Sequence, residues 1–250
     1  MIRILQDMAT AFQFLTRLPL GRLPYDENAL SRSAKFFPLV GLLIGIFGSV
    51  AYLWFIRHLP SAVAALLTLA LLVLATGGLH EDGLADVADA FGGGWSREQI
   101  LAILKDSSIG TFGTVALVVS VGLRVLLLAN LPLNRFAAYV ISGHVLCRWT
   151  ALPLGYVLPA ARESSLHSQG SRIARQISAA SLAIASLFAL ILVAYALRRA
   201  MWSALAATLA VTLLSGLYYW RRIGGVTGDC FGATNQLAEI AVYLCGVWHP

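Results

Sequence analysis

The feature that most constrains this chain is a succession of apolar stretches. They lie near residues 36–57, 60–79, 109–130, 135–158, 178–197 and 201–219, with a shorter one near 233–248. Each of the first six is about the length a helix needs to cross roughly 30 Å of hydrocarbon. The last is short enough to be tilted or partly buried among its neighbours. Charged residues make up 12% of the chain and apolar residues 58%, whereas soluble domains carry about 25% charge. The expected fold class is therefore all-α, a polytopic integral membrane bundle of six to seven transmembrane helices. Residues 1–35 carry Ile4, Leu5, Met8, Phe12, Phe14, Leu15 and Leu18 beside basic residues, the pattern of an interfacial amphipathic segment, and show no signal-peptide cleavage pattern.

Basic residues set the expected topology. With the N-terminus in the cytoplasm, twelve of the 18 Lys and Arg fall on that side: Arg3, Arg17, Arg22, Arg32, Lys35, Arg97, Lys105, Arg162, Arg172, Arg175, Arg221 and Arg222. Four fall opposite (Arg57, Arg135, Arg198, Arg199), and Arg124 and Arg148 lie within spans. The positive-inside rule favours this orientation. The net charge of +6 belongs to that bias, and no nucleic-acid motif or basic stripe accompanies it. Most of the Trp and Tyr residues fall near the expected interfaces. Cys147, Cys230 and Cys245 lack metal spacing and read as small apolar fillers. With no linker, low-complexity tract or repeat, residues 1–250 read as a single membrane-embedded domain.

Against this background the acids stand out. The chain has twelve Asp and Glu, and four of them fall within Glu81–Asp89, in the run His80-Glu81-Asp82-Gly83-Leu84-Ala85-Asp86-Val87-Ala88-Asp89. Asp82, Asp86 and Asp89 are spaced i, i+4, i+7 and share one helical face. Stacked carboxylates repel each other, and a divalent cation removes the repulsion. Mg²⁺ is held by a few carboxylates together with substrate phosphates, so the cluster reads as a diphosphate site at a membrane surface. The plainer reading is a polar face where a helix leaves the bilayer, although such exits favour Lys and Arg.

The expected topology puts this cluster on the cytoplasmic side, in a connection of about 30 residues spanning 80–109. Gly92-Gly93-Gly94 should end the acidic helix. Ser96 in Ser96-Arg97-Glu98-Gln99 looks like an N-cap. Lys105, Ser107 and Thr111, with Gly110 and Gly113, suit phosphate contact through backbone N–H groups and a helix N-terminus. An ordinary capped helix start fits them as well.

A second polar cluster runs from Gly224 through Gly225, Thr227, Gly228, Asp229, Gly232, Asn235 and Gln236 to Glu239. Glycines let backbone approach a ligand closely, and Glu239 is an ionisable residue in an apolar segment, a functional hypothesis by default. The same rule marks Arg148 as a candidate phosphate ligand. Arg124 is equally well a structural ion pair. His80 is a candidate proton acceptor or metal-orienting group, or simply a hydrogen-bonded helix-end histidine.

At this point the residues resemble a family. The run Gly78 to Asp89 is similar to the signature of cobalamin synthase, the adenosylcobinamide-GDP ribazoletransferase of bacterial cobalamin biosynthesis. So are Phe14-Leu15-Thr16-Arg17-Leu18-Pro19, Phe37-Pro38-Leu39-Val40-Gly41, Lys105-Asp106-Ser107 with Gly110-Thr111 and Gly113, Cys147-Arg148, Ala161-Arg162, and Gly225-Val226-Thr227-Gly228-Asp229 with Gly232-Ala233 and Glu239. The resemblance covers nearly the whole chain, weakening after Gly170. Two departures are Lys105, where members often have Arg, and Gln236, where some have Glu.

The resemblance implies that α-ribazole or its 5′-phosphate is joined to adenosylcobinamide-GDP with release of GMP. It implies Mg²⁺ held by Asp82, Asp86, Asp89 and Asp229. Asp229 and Glu239 would complete the metal site or accept the ribose proton. Arg148, Lys105 and Arg162 would balance phosphate charge, Ser107 and Thr111 would donate hydrogen bonds, and Gly228 and Gly232 would line the substrate. The expected location is the bacterial inner membrane with the site facing the cytoplasm, in contact with the lipid bilayer and with room for contact with other enzymes of the pathway. Two rival readings are a different membrane phosphotransferase or prenyltransferase and a cation transporter. CDP-alcohol phosphotransferases use an acid spacing this chain lacks. Transporters place such acids near the midplane on broken helices, whereas here they gather at one face.

Overall fold

A computed structural model describes residues 2–21, 26, 28–106, 108–161 and 177–248. The described residues are almost entirely helical, with one isolated parallel bridge between Ala160 and Val226. The helices are α1 (Ile2–Leu15), α2 (Ala29–Ser33), α3 (Phe37–Phe55), α4 (Ser61–Thr76), α5 (Leu79–Gly93), α6 (Arg97–Ile103), α7 (Thr111–Asn130), α8 (Phe136–Trp149), α9 (Ala151–Val157), α10 (Ala179–Leu197), α11 (Met201–Ile223) and α12 (Gly228–Val247).

The bundle is built for lipid. On α7 the outward residues Phe112, Val115, Val118, Val119 and Leu126 are apolar, while Ser120 and Arg124 face inward and are buried. A soluble helix would show the reverse. By length and hydropathy, three helical stretches can cross a membrane: Ala29–Phe55, Thr111–Asn130 and Ala179–Ile223. The third is 45 residues, about 67 Å if straight, roughly twice the hydrocarbon thickness. Its backbone breaks at Arg198, a non-glycine residue with φ 53°, so we read α10 and α11 as two spans. The expected spans 135–158 and 233–248 correspond to α8–α9 and α12, which lie outside that apolar set. Both α8 and α12 are largely buried and carry the polar residues of the interior.

The turn from α4 to α5 places the acids. Gly77 and Gly78 both have left-handed backbone (φ 69° and 70°), a conformation that favours glycine. The Gly77 N–H donates to Leu74 and the Gly78 N–H to Val73, ending α4. The chain leaves at 91°, so α5 runs across the direction of α4. Alone, α4 is 16 residues, short for a crossing; joined to α5 as a bent pair it is long and apolar enough for a fourth span. We read α4 as the crossing segment and α5 as a helix lying along the membrane surface. After α5, Ser96 forms the expected N-cap: its Oγ accepts from the Gln99 N–H, and Gln99 Oε1 accepts from the Ser96 N–H.

The N-terminal α1 exposes Ile4 and Leu5, as an interfacial helix should. Its other face is fixed by an acid the apolar pattern did not reveal. Asp7 is buried and pairs with Arg32 (3.2 Å) and Lys35 (3.1 Å).

Candidate active site

Helix α5 forms where the acidic run predicted it, and the three aspartates on its face take two different roles. Asp82 and Asp86 line a cleft of about 700 Å³ together with Arg17, Gly77, Gly78 and Ile109. Neither carboxylate accepts a hydrogen bond among the described residues. Partial burial, and then the negative charges of Asp82, Asp229 and Asp89, push the Asp86 carboxyl up to about 6. Asp89, one turn on, is committed elsewhere. Its Oδ2 accepts from the Gly110 N–H (2.7 Å) and its Oδ1 from the Gly113 N–H (2.8 Å), capping the start of α7. A Cβ at Gly113 would collide with this carboxylate and lie 2.9 Å from the Ala85 carbonyl oxygen. Asp89 therefore caps the start of α7 and does not line the cleft with Asp82 and Asp86. The amides expected to meet phosphate are taken up by that cap.

Helix α12 brings Asp229 near these acids, close enough for its charge to act on Asp86, although it does not line the cleft. The two helices cross at Gly83 and Gly232. A Cβ on Gly83 would stand 2.9 Å from the Asp229 carbonyl oxygen and 3.1 Å from Gly232 Cα, and one on Gly232 would stand 3.2 Å from Gly83 Cα. Glycine at both positions is what lets two backbones approach this closely. Gly232, expected to line substrate, serves this crossing, and Gly228 is the exposed first residue of α12. Thr227 Oγ1 donates to Asp229 Oδ2 (3.2 Å), orienting the half-buried carboxylate.

Behind the cleft lies a buried ionic network. Glu81 Oε1 accepts from Arg124 Nη1 and from Gln236 Nε2, each at 3.0 Å. Glu239 lies 3.8 Å from Arg124 and 3.7 Å from Arg148. Two arginines and two glutamates thus balance in the core, the arrangement that makes buried charge tolerable. Arg148 and Glu239 are 3% and 2% exposed, so neither reaches the cleft where phosphate binding and proton transfer were expected of them. His80 is also buried, against α12. Burial first, then the charges of Arg148, His144 and Arg124, hold it well below the usual imidazole range. It sits neutral behind the acids and does not line the cleft.

The departure at Gln236 now has a reason: its amide donates to Glu81 and its oxygen accepts from Ser120 Oγ (3.3 Å). A carboxylate there would add a third negative charge beside Glu81 and Glu239.

Among the described residues, one group of three potential metal-ligating atoms lies mutually within 4.8 Å: His144, Cys147 and Glu239. Arg148 Nη1 stands 2.5 Å from His144 Nδ1 and 2.9 Å from Cys147 Sγ, so a guanidinium already fills that space. Asp82, Asp86 and Asp229 are more open. Two carboxylates that accept no hydrogen bond among the described residues, with Asp229 near enough to push the Asp86 carboxyl up, fit a hard cation completing its shell with water and phosphate.

A sequence model of the family described as cobalamin-5-phosphate synthase matches residues 7–247. A Leptospira interrogans protein named adenosylcobinamide-GDP ribazoletransferase is 39% identical over 94% of this chain and 92% of its own length. Proteins of the same name from Polaromonas sp. (37% identical, 97% and 96% covered) and Vibrio cholerae (36%, 94% and 90%) match similarly. The chain belongs to the cobalamin-5-phosphate synthase family. No solved structure matches it. As a cobalamin synthase family member it is an enzyme, a transferase of cobalamin synthesis in a membrane-helical fold.

In this family member the remaining expected residues are dispersed. Lys105 is exposed in the turn after α6 and Thr111 is exposed at the first turn of α7; neither lines the cleft. Ser107 and Arg162 lie outside the described residues, as do Arg22, Arg172 and Arg175. The residue that reasoning from the sequence missed is Arg17. In the sequence it reads only as a topology signal and part of a motif, yet it lines the cleft with Asp82 and Asp86. Its place within the Thr16-Arg17-Leu18-Pro19 motif was the available signal.

Proposed function

We propose that this enzyme joins α-ribazole, or its 5′-phosphate, to adenosylcobinamide-GDP at the Asp82–Asp86 cleft. The ribose hydroxyl oxygen attacks the cobinamide-side phosphorus, the bond from that phosphorus to the GMP oxygen breaks, and GMP leaves. The product is adenosylcobalamin or its 5′-phosphate. Asp229, oriented by Thr227, accepts the hydroxyl proton. Asp82 and Asp86 hold Mg²⁺, which supplies charge neutralisation on the diphosphate and the leaving nucleotide. The carrying observation is a cleft lined by Asp82 and Asp86, which accept no hydrogen bond among the described residues, with Asp229 of α12 near enough to push the Asp86 carboxyl up. Names and extents of the relatives support the substrates. The distribution of Lys and Arg supports a bacterial inner-membrane location with the cleft facing the cytoplasm.

The test is turnover by detergent-purified protein given adenosylcobinamide-GDP, α-ribazole 5′-phosphate and Mg²⁺, following GMP and the corrinoid product. Product that vanishes with EDTA, returns with Mg²⁺ and is lost in Asp82→Ala is expected. Undiminished turnover in EDTA, or in folded Asp82→Ala, would sink the metal-site assignment. No turnover by folded wild type would sink the reaction.

A further inference from the structure

The cleft that holds Asp82 and Asp86 contains a cation with no acidic partner among the described residues. Arg17 follows α1 and is exposed. Its backbone N–H donates to the Ala75 carbonyl (2.8 Å), fastening this segment to the last turn of α4. Its side chain lies across Gly77. A Cβ on Gly77 would collide with Arg17 Nε and come within 2.8 Å of Cγ and Cδ. The bare left-handed glycine leaves the room the guanidinium stem occupies, and the backbone hydrogen bond to Ala75 holds the base of the side chain beside the cleft.

Several other cations on this side are engaged, and the exposed Arg3, Lys105 and Arg221 do not line the cleft. Arg32 and Lys35 pair with Asp7. Arg97 donates to the Ile223 and Ala161 carbonyls, and Arg222 to that of Gly94. Arg124 and Arg148 are buried with glutamates. Among the described residues lining the cleft, Arg17 is the only cation, and it forms no ion pair with the two aspartates that line it too.

Charge counting shows what such a cation is for. Three aspartates and one divalent ion leave the site negative. Each phosphate of a diphosphate diester adds a further negative charge, and more develops on the leaving nucleotide as the bond breaks. A guanidinium beside the metal carboxylates neutralises oxygens the metal does not reach and can hold two of them at once.

We propose that Arg17 binds the diphosphate of the activated substrate in the cleft that Asp82 and Asp86 also line. The proposal rests on the reading that this cleft takes a diphosphate. Calorimetry on the full-length protein in detergent tests it, with Mg²⁺ and inorganic pyrophosphate as the probe. Wild type should bind, Arg17→Lys should bind less tightly, and Arg17→Gln should bind about tenfold or more weakly. Binding of Mg²⁺ alone and the thermal midpoint should stay as in wild type.

In turnover, Arg17→Gln should raise KM for the corrinoid diphosphate about tenfold while leaving KM for uncharged α-ribazole unchanged. A purely structural role would move both constants or only the active fraction. Equal pyrophosphate binding by wild type and Arg17→Gln, or no binding by wild type, would overturn the assignment of Arg17. The binding result stands apart from turnover: a wild type that binds pyrophosphate through Arg17 but makes no cobalamin would fault the reaction and not the residue.

Discussion

Replacing Asp86 by Asn should stabilise the metal-free protein and abolish its activity. The Asp86 carboxyl is raised from an ordinary 3.8 to about 6 by partial burial and by Asp82, Asp229 and Asp89. A shift of about two units corresponds to roughly 3 kcal/mol at most, at 1.36 kcal/mol per unit. The group is only partly buried, and solvent screening reduces that ceiling to about 1 kcal/mol. Because the folded state holds the proton more tightly than the unfolded chain, stability from this group is fully present below pH 3.8. It is lost as pH rises through 6. Asn carries no such charge, so the variant should match wild type near pH 4 and pull ahead as pH rises. For a chain of this size, about 1 kcal/mol corresponds to a rise of about 2–4 °C in thermal midpoint. The assay is thermal unfolding in detergent with EDTA from pH 4.5 to 8. Saturating Mg²⁺ should then close the gap by stabilising wild type alone. A variant less stable than wild type at pH 7.5, or a difference that does not change with pH, would refute the reasoning.

Three further outcomes follow from the geometry. Asp89→Ala should cost about 1–2 kcal/mol, because two amides at the start of α7 lose their cap; with its acid neighbours intact, the Mg²⁺ affinity measured by calorimetry should fall less than in Asp82→Ala. Gly232→Ala should spread the α5–α12 crossing, since its Cβ would meet Gly83 Cα at 3.2 Å. The neighbour must give by a few tenths of an ångström, so turnover in folded protein should fall, by less than the roughly 10²-fold that a misplacement of about 1 Å can cost. Glu239→Ala should cost about 3–5 kcal/mol by leaving buried Arg148 and Arg124 short of a counter-charge; denaturation in mixed micelles showing a loss under 1 kcal/mol would mean the network is not what holds α12 in place.

Much of this molecule could be read from residue types and periods. The i, i+4, i+7 spacing of Asp82, Asp86 and Asp89 placed them on one helix face, and the glycine triplet near 92–94 ended that helix. The same spacing also separates Glu81, which lies about 100° around the helix from Asp82 and faces Arg124 and Gln236 instead of the cleft. What periodicity does not carry is the identity of each acid's partner. Asp89 differs from Asp86 only because Gly110 and Gly113, more than twenty residues later, bring amides to it. Arg148 and Glu239 read as phosphate ligand and base because an ionisable residue at membrane depth signals function. In the fold they lie 3.7 Å apart as buried opposite charges, which local sequence cannot show.

The distribution of satisfied and unsatisfied charge locates the chemistry better than the acids do by number. Asp7, Glu81, Asp89 and Glu239 each meet a cation or backbone amides, and that is how acids persist in a lipid-embedded bundle. Asp82 and Asp86 accept no hydrogen bond among the described residues, and Asp86 holds its charge against its neighbours. The same cleft contains Arg17, without an acidic partner among those residues. Three charged groups left uncompensated in one cleft make the local arrangement less stable than a paired one, and natural sequences accept such a conflict where function requires it. A divalent cation on the carboxylates and an anion against the guanidinium would resolve both halves together. A diphosphate ester carrying Mg²⁺ has that combination of charges.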